Sequence, residues 1–202
     1  MIRAAEQQSE ANQEKRRTFS EWQANVDIGR VFAIDEAGSH IAMTPNYAWA
    51  PRGERARDAV PRNRGTVVTM LAALSIDGLC AMMTVEGGTS GDVFLAYSEN
   101  VLLPELRPGD VVLLDNVGAH RDRRVQEAFE RAGVELCYLP PYSPDLNPIE
   151  LAWAKVKWFL RLAKARTREA LDTAVAFAMN MISEDEARRW FGHCGFNISQ
   201  TG

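Results

Sequence analysis

Residues 136–153 read LCYLPPYSPDLNPIELAW, and this stretch sets the frame for the whole chain. Leu136 to Leu139 is a short apolar run of strand type. Pro140, Pro141, Pro144 and Pro148 follow, each fixing its own φ and biasing the preceding residue away from the α region, so the loop is stiff. Asn147-Pro148 marks a helix start, a capping side chain followed by proline at the first helical position. Glu150 then falls in the first helical turn. A rigid loop that delivers one carboxylate to a defined place is what a metal site requires. A plainer reading stands beside it: Asn147 and Glu150 have the spacing of a capping box, and the helix dipole favours an acid there. The company Glu150 keeps decides between them.

The chain has 202 residues, enough for one domain with a substantial core. Its hydrophobic fraction of 46% and charged fraction of 25% are those of a soluble globular protein. No apolar run is long enough to span a membrane and the N-terminus lacks a signal-peptide core, so a cytoplasmic, nucleoid-associated protein is expected. Cys80, Cys137 and Cys194 are far apart and odd in number, which reads as reduced thiols. Neither they nor His40, His120 and His193 form a zinc pattern.

A net charge of −4 does not advertise a nucleic-acid partner, but the distribution does. Lys155, Lys157, Arg161, Lys164, Arg166 and Arg168 follow one another with no acid between them. Arg52, Arg55, Arg57, Arg62 and Arg64 form a second basic stretch against only Glu54 and Asp58.

Taken in order, residues 1–24 are a polar, helical or frayed arm, with Phe19 and Trp22 as anchors. Val31 to Ile34 is a buried strand ending at Asp35. Residues 42–49 have the composition of another strand, and the basic loop from Arg52 to Arg64 follows. Residues 66–76 and 79–85 form a hairpin about Asp77-Gly78. Residues 89–103 have helical character. Val111 to Leu114 is a strand closed by Asp115, residues 121–132 are a helix stopped by Gly133, and residues 134–139 are a strand. Helices are expected over 148–165 and 167–182, with a short third over 184–191. Antiparallel strands followed by β-α-β-α units imply an α/β ribonuclease H-like fold, a mixed central sheet with helices on both faces. The expected division is an arm over 1–24, a catalytic domain over 25–166 and a helical extension over 167–202.

Asp35 and Asp115 thus close strands, and Glu150 opens a helix after the last one. One edge of an α/β sheet is where ligands and catalysts gather. Three converging carboxylates would repel one another unless divalent cations neutralised them, and Mg²⁺ binds through a few carboxylates while keeping waters and phosphates. Two such ions can activate a water or 3′-hydroxyl and stabilise the leaving oxygen of a phosphodiester. Each acid alone also has an ordinary reading as a turn cap.

Three segments, FAIDEAGSH, VVLLDNVGAHR and LPPYSPDLNPIELAWAKVK, resemble the catalytic motifs of DDE transposases of the mariner-type superfamily, with the nearest resemblance to its bacterial insertion-sequence branch. Asp115 and Glu150 have 34 residues between them, the spacing the resemblance leads one to expect. It spans roughly residues 31–164 and implies that Asp35, Asp115 and Glu150 are a catalytic triad holding Mg²⁺ or Mn²⁺, as two ions. The implied reaction is cleavage at transposon ends and attack of the freed 3′-hydroxyl on target DNA. It also implies DNA ends and target as partners and a homodimer or higher assembly on DNA. Asn116 and His120 follow Asp115 in a family-like DN…H pattern, as contacts to a scissile phosphate or an outer water; His120 equally suits a packed helix-start residue. Glu36 adjoins Asp35 but should point elsewhere. The turn holding Arg52 resembles a family turn near the site, with arginines that meet phosphate.

One reading of the helix after Glu150 needs no family. At 100° per residue, Glu150, Lys157, Arg161 and Lys164 fall within about 60° of one another, beside a core-facing sector of Val156, Phe159, Leu160 and Ala163. The basic stripe continues the face that presents Glu150 and suits the DNA backbone. Relatives carry helix-turn-helix domains upstream, and nothing of that kind precedes Asp35 here. A separately encoded end-binding partner is therefore expected. A truncated non-catalytic regulator and a nuclease for RNA–DNA hybrids are the alternatives.

Overall fold

The computed structural model describes residues 9–199, so residues 1–8 of the expected arm lie outside the described residues. Helix α1 (Glu10–Gln23) starts where the Ser9 side chain accepts from the Asn12 amide. Its inner side buries Phe19 and sets Trp22 against Phe196. Gln23 closes the contact by donating from Nε2 to the Cys194 carbonyl at 2.9 Å.

The sheet is built from β1 (Val31–Ser39), β2 (Val68–Ser75), β3 (Gly78–Glu86), β4 (Val111–Leu114) and β5 (Glu135–Tyr138). Their order is β3-β2-β1-β4-β5. β1, β2 and β3 pair antiparallel, while β1, β4 and β5 pair parallel. Every residue of β2 and β4 is buried, because helices cover both faces. On one face α1, α4 (Ile149–Ala163), α5 (Arg168–Met179) and α6 (Glu184–His193) share a core with Val31, Ala33, Met70 and Leu74. On the other, α2 (Gly91–Tyr97) and α3 (Arg123–Ala132) enclose Ile34, Leu71, Val112 and Leu114. This is the mixed ribonuclease H-like layout expected from the sequence.

Several boundaries differ from expectation for identifiable reasons. β1 does not stop at Asp35 but runs on to Ser39, held by antiparallel pairing from Asp35↔Ala72 to Ser39↔Val68. Residues 42–49 form no strand. Both sides of β1 are already taken by β2 and β4, and Pro45 has no amide to donate. The Arg166 guanidinium instead satisfies the Ile41 and Met43 carbonyls at 2.8 and 2.9 Å and the Thr44 hydroxyl at 2.8 Å. The expected helix over 89–103 is α2 followed by a π turn over Ser98–Leu102 and a 3-10 turn over Leu103–Glu105. Helix α4 ends at Ala163, with Lys164 in the left-handed region at φ 48°.

Candidate active site

Strand register alone brings two of the acids together. β1 and β4 pair in parallel with Val31 beside Val111 and Ala33 beside Leu113. The same offset sets Asp35 beside Asp115 just past the last paired residues, on strands spaced about 4.8 Å apart. The β4–β5 register ends at Leu114 beside Tyr138, and the Leu139 amide donates to the Leu114 carbonyl at 2.9 Å. The proline loop therefore begins next to Asp115. It turns back over a 3-10 turn (Pro144–Leu146) and enters α4, putting Glu150 in the first helical turn. Asp35, Asp115 and Glu150 line one pocket of about 380 Å³ with Asn116, Tyr142 and Asn147.

The capping-box reading of Glu150 does not hold. Pro148 occupies the N-cap position and no side chain caps the helix. The Glu150 amide donates to the Asn147 backbone carbonyl at 3.2 Å, while the Asn147 side-chain Oδ1 is buried without a hydrogen-bond partner. The Glu150 carboxylate faces the pocket and carries no capping role.

The electrostatics match a gathering of like charges. Burial raises the Asp35 carboxyl to about 7; the Glu36 amide opposes this, and Glu150, Asp115 and Glu36 add to it. Burial also raises Glu150, and the Asp115 charge adds while Lys157 opposes. At Asp115 burial works the same way but is outweighed by His120 and by the Val117 amide, which donates to Oδ1 at 3.2 Å, so Asp115 lies below its ordinary value.

His120 sits in a 3-10 turn (Gly118–Arg121) and is 2% exposed, its ring 4.2 Å from that of Phe94. Nδ1 lies 2.7 Å from Asp115 Oδ1, and Nε2 lies 3.7 Å from Glu36 Oε1. Neither contact has the angles of a well-directed hydrogen bond, so the attraction to the two carboxylates is chiefly one of charge when the ring is protonated. Burial disfavours the imidazolium, but the two carboxylates raise His120 to about 9. His120 therefore holds Asp115 from behind rather than reaching into the pocket. Glu36, on the strand face opposite Asp35, is turned to His120 and does not line the pocket. Asn116 lines the pocket, yet both ends of its amide are engaged: Nδ2 donates to the Leu139 carbonyl, and Oδ1 accepts from Arg121 Nη2 at 2.5 Å.

The acids form an open wall. Among the described residues no three His, Cys, Asp or Glu side chains stand close enough to make a closed metal-binding group. Such a wall suits a hard cation that takes few carboxylates and completes its shell with water and phosphate oxygens. The oxygen-only donor set on the pocket wall fits Mg²⁺ or Mn²⁺ better than a softer metal.

The basic stripe is shorter than expected. Val156 and Leu160 are buried as the periodicity predicts, and Lys157 and Arg161 are half-buried on the helix that carries Glu150. Ala163 is exposed rather than core-facing. Lys164 has left the helical register, and its Nζ pairs with Asp58 at 2.6 Å. Lys155 points inward, donating to Glu186 and to the Met181 carbonyl. Arg52 stands on the exposed loop and does not line the pocket. Sequence reading missed Arg16, which grips the proline loop from α1; no local pattern marks a contact across 129 positions.

Comparison with known proteins follows the same lines. The Tcb2 transposase of a transposable element of Caenorhabditis briggsae is 41% identical over 51 residues, 25% of this chain and 19% of that protein. The Mos1 transposase in its paired-end complex with the left transposon end superposes with a TM-score of 0.73 at 17% identity, over 93% of this chain and 60% of that one. The catalytic domain of the Mos1 mariner transposase gives a TM-score of 0.66 at 13% identity, over 96% of this chain and 91% of that one. Mos1 paired-end complexes have been solved with Mn and with Mg. At these identities the structural likeness is one of fold. The match spans about 60% of the full Mos1 chain. The sequence profile of the DDE superfamily endonucleases matches residues 30–172, well over half of the 202 residues, and the chain belongs to that family.

Proposed function

We propose that this chain is the catalytic portion of a DNA transposase that hydrolyses phosphodiesters at transposon ends and joins the freed 3′-hydroxyl to target DNA. The observation that carries the reading is Asp35 and Asp115, set on one pocket by the β1–β4 register that ends just before them, with a Glu150 free of capping duty. In this reading the three carboxylates hold two Mg²⁺ or Mn²⁺ ions. Those ions, when bound, supply activation of the attacking oxygen and stabilisation of the leaving one. The chain's own residues do the rest. The proline loop fixes Glu150 against the sheet edge, His120 keeps Asp115 ionised and oriented, and Lys157 and Arg161 hold the DNA backbone beside the acids.

Assembly as a dimer or higher multimer on DNA, and end recognition by a separately encoded helix-turn-helix partner, belong to the same proposal. So does placement in the insertion-sequence branch, which rests on the motif resemblance; the curated relative comes from a nematode element. The test is incubation of end-bearing DNA with the chain and Mg²⁺ or Mn²⁺. Metal-dependent strands with 3′-hydroxyl ends that disappear in Asp115→Ala support the proposal. Equal cleavage by that variant overturns it, and a chain that binds the ends without cutting them points to a regulator.

A further inference from the structure

The loop that delivers Glu150 is held by a strut from outside the sheet. From the middle of α1, Arg16 donates through Nη1 to the Ser143 hydroxyl at 2.6 Å. Its Nη1 and Nη2 also grip the two Asp145 carboxylate oxygens at 3.1 and 2.7 Å. The fork matches the carboxylate in the bidentate manner that makes arginine pairs directional. Arg16 is itself largely shielded, its side chain 23% exposed, and Ser143 is 4% exposed.

The place it grips is the least relaxed part of the loop. Tyr142, directly before Ser143, has a φ of 57°, a left-handed conformation uncommon for a residue with a bulky side chain. Such a conformation persists where surrounding contacts over-determine it. Ser143 and Asp145 flank Pro144, and the Ser143 and Pro144 carbonyls accept from the Leu146 and Asn147 amides at 3.1 and 3.0 Å. Three residues beyond Asn147 stands Glu150. The other end of the strut is fixed too, since Phe19 is buried in the core and Gln23 is bonded to Cys194.

We propose that Arg16 is a positioning residue: α1 clamps the Tyr142–Asn147 turn through Ser143 and Asp145 and so sets where Glu150 stands over Asp35 and Asp115. The role rests on the catalytic reading of the pocket, but its physical half is measurable without catalysis. Loss of the fork frees the turn, and Glu150 samples positions off the pocket wall. A reacting geometry displaced by about 1 Å costs on the order of a hundredfold in rate.

The test compares Arg16→Ala and Arg16→Lys with the control Arg17→Ala. Arg17 lies on the same helix but pairs only with Glu14 and Glu21 among the contacts described. Hydrogen exchange is read at the Leu146 and Asn147 amides, and metal-dependent DNA cleavage is resolved into turnover and KM. The expected result is exchange at least about tenfold faster in Arg16→Ala, with turnover falling by a similar factor and KM for DNA nearly unchanged. Arg16→Lys keeps the charge without the fork and falls between. Arg17→Ala matches wild type. Unchanged exchange at both amides in a folded Arg16→Ala overturns the strut, whatever the enzyme does. Faster exchange with unchanged turnover overturns its positioning role. Should the wild type show no cleavage, the catalytic reading fails while the exchange data still decide the clamp.

Discussion

His120 Nδ1 stands 2.7 Å from Asp115 Oδ1, with the imidazole buried and its far nitrogen turned toward Glu36. One buried imidazole thus lies between two carboxylates, only one of which faces the pocket. Outer partners of this kind hold a metal-binding carboxylate in the right orientation, and their loss typically costs 10–100-fold in affinity. His120→Gln should weaken Mn²⁺ binding by about that factor, read by calorimetric titration. Unaltered affinity would show that Asp115 is placed by its strand alone.

The same pair sets a pH window. The folded His120 value of about 9 lies above its ordinary 6.5. Its contribution to stability is therefore complete below about 6.5 and is lost as pH rises through about 9. Thermal melts of the metal-free chain between pH 7 and 10 should show this loss in wild type, and His120→Gln should show a smaller fall across the window.

Asp35 predicts a cost of function. Burial and the other acids raise it to about 7, so the folded state disfavours its charge. With an ordinary value of 3.8, stability falls as pH rises from about 4 to 7, and the full penalty is present above 7. Asp35→Asn should therefore stabilise the metal-free chain at pH 8 by about 1–3 kcal/mol while ending cleavage. Mg²⁺ should raise the melting temperature of wild type and not of the variant. A variant less stable than wild type contradicts the crowding of charge at this pocket.

Basic residues that look alike in sequence should separate in experiment. Lys157 and Arg161 lie on α4 beyond Glu150, whereas Lys155 ties α4 to α6 through Glu186 at 2.6 Å, both side chains about three-quarters buried. Replacing Lys157 and Arg161 with alanine should lower the slope of log affinity against log salt by about 1–2. Lys155→Ala should leave that slope alone and cost about 1–2 kcal/mol of stability. Fluorescence anisotropy with labelled duplex at several salt concentrations and urea unfolding check the two halves. An unaltered slope in the double variant removes the stripe from the DNA interface.

What the sequence made legible follows the reach of its local signals. Apolar runs and turn residues predicted the hairpin and the later β-α-β-α units, and strand-end acids marked Asp115. The proline loop and the helix start marked Glu150. Asp35 ends an apolar run, yet β1 continues to Ser39 because β2 offers a long antiparallel partner that no local pattern announces. Residues 42–49 have strand composition, but both sides of the preceding strand β1 are taken by β2 and β4, and Arg166 from far along the chain binds the Met43 carbonyl and the Thr44 hydroxyl. Lys164 fits the stripe by periodicity, and its departure into a left-handed C-cap pairs it with Asp58. The contacts that hold the site from behind, His120 on Asp115 and Arg16 on Asp145, are set by tertiary packing.

The most direct measurement is calorimetric titration of Mn²⁺ into the wild-type chain and into Asp35→Ala, Asp115→Ala and Glu150→Ala, each first confirmed as folded. If the three acids form one metal site, wild type binds and each single variant loses at least about tenfold in affinity. Equal binding by wild type and all three variants would contradict the shared site on which the proposed chemistry depends.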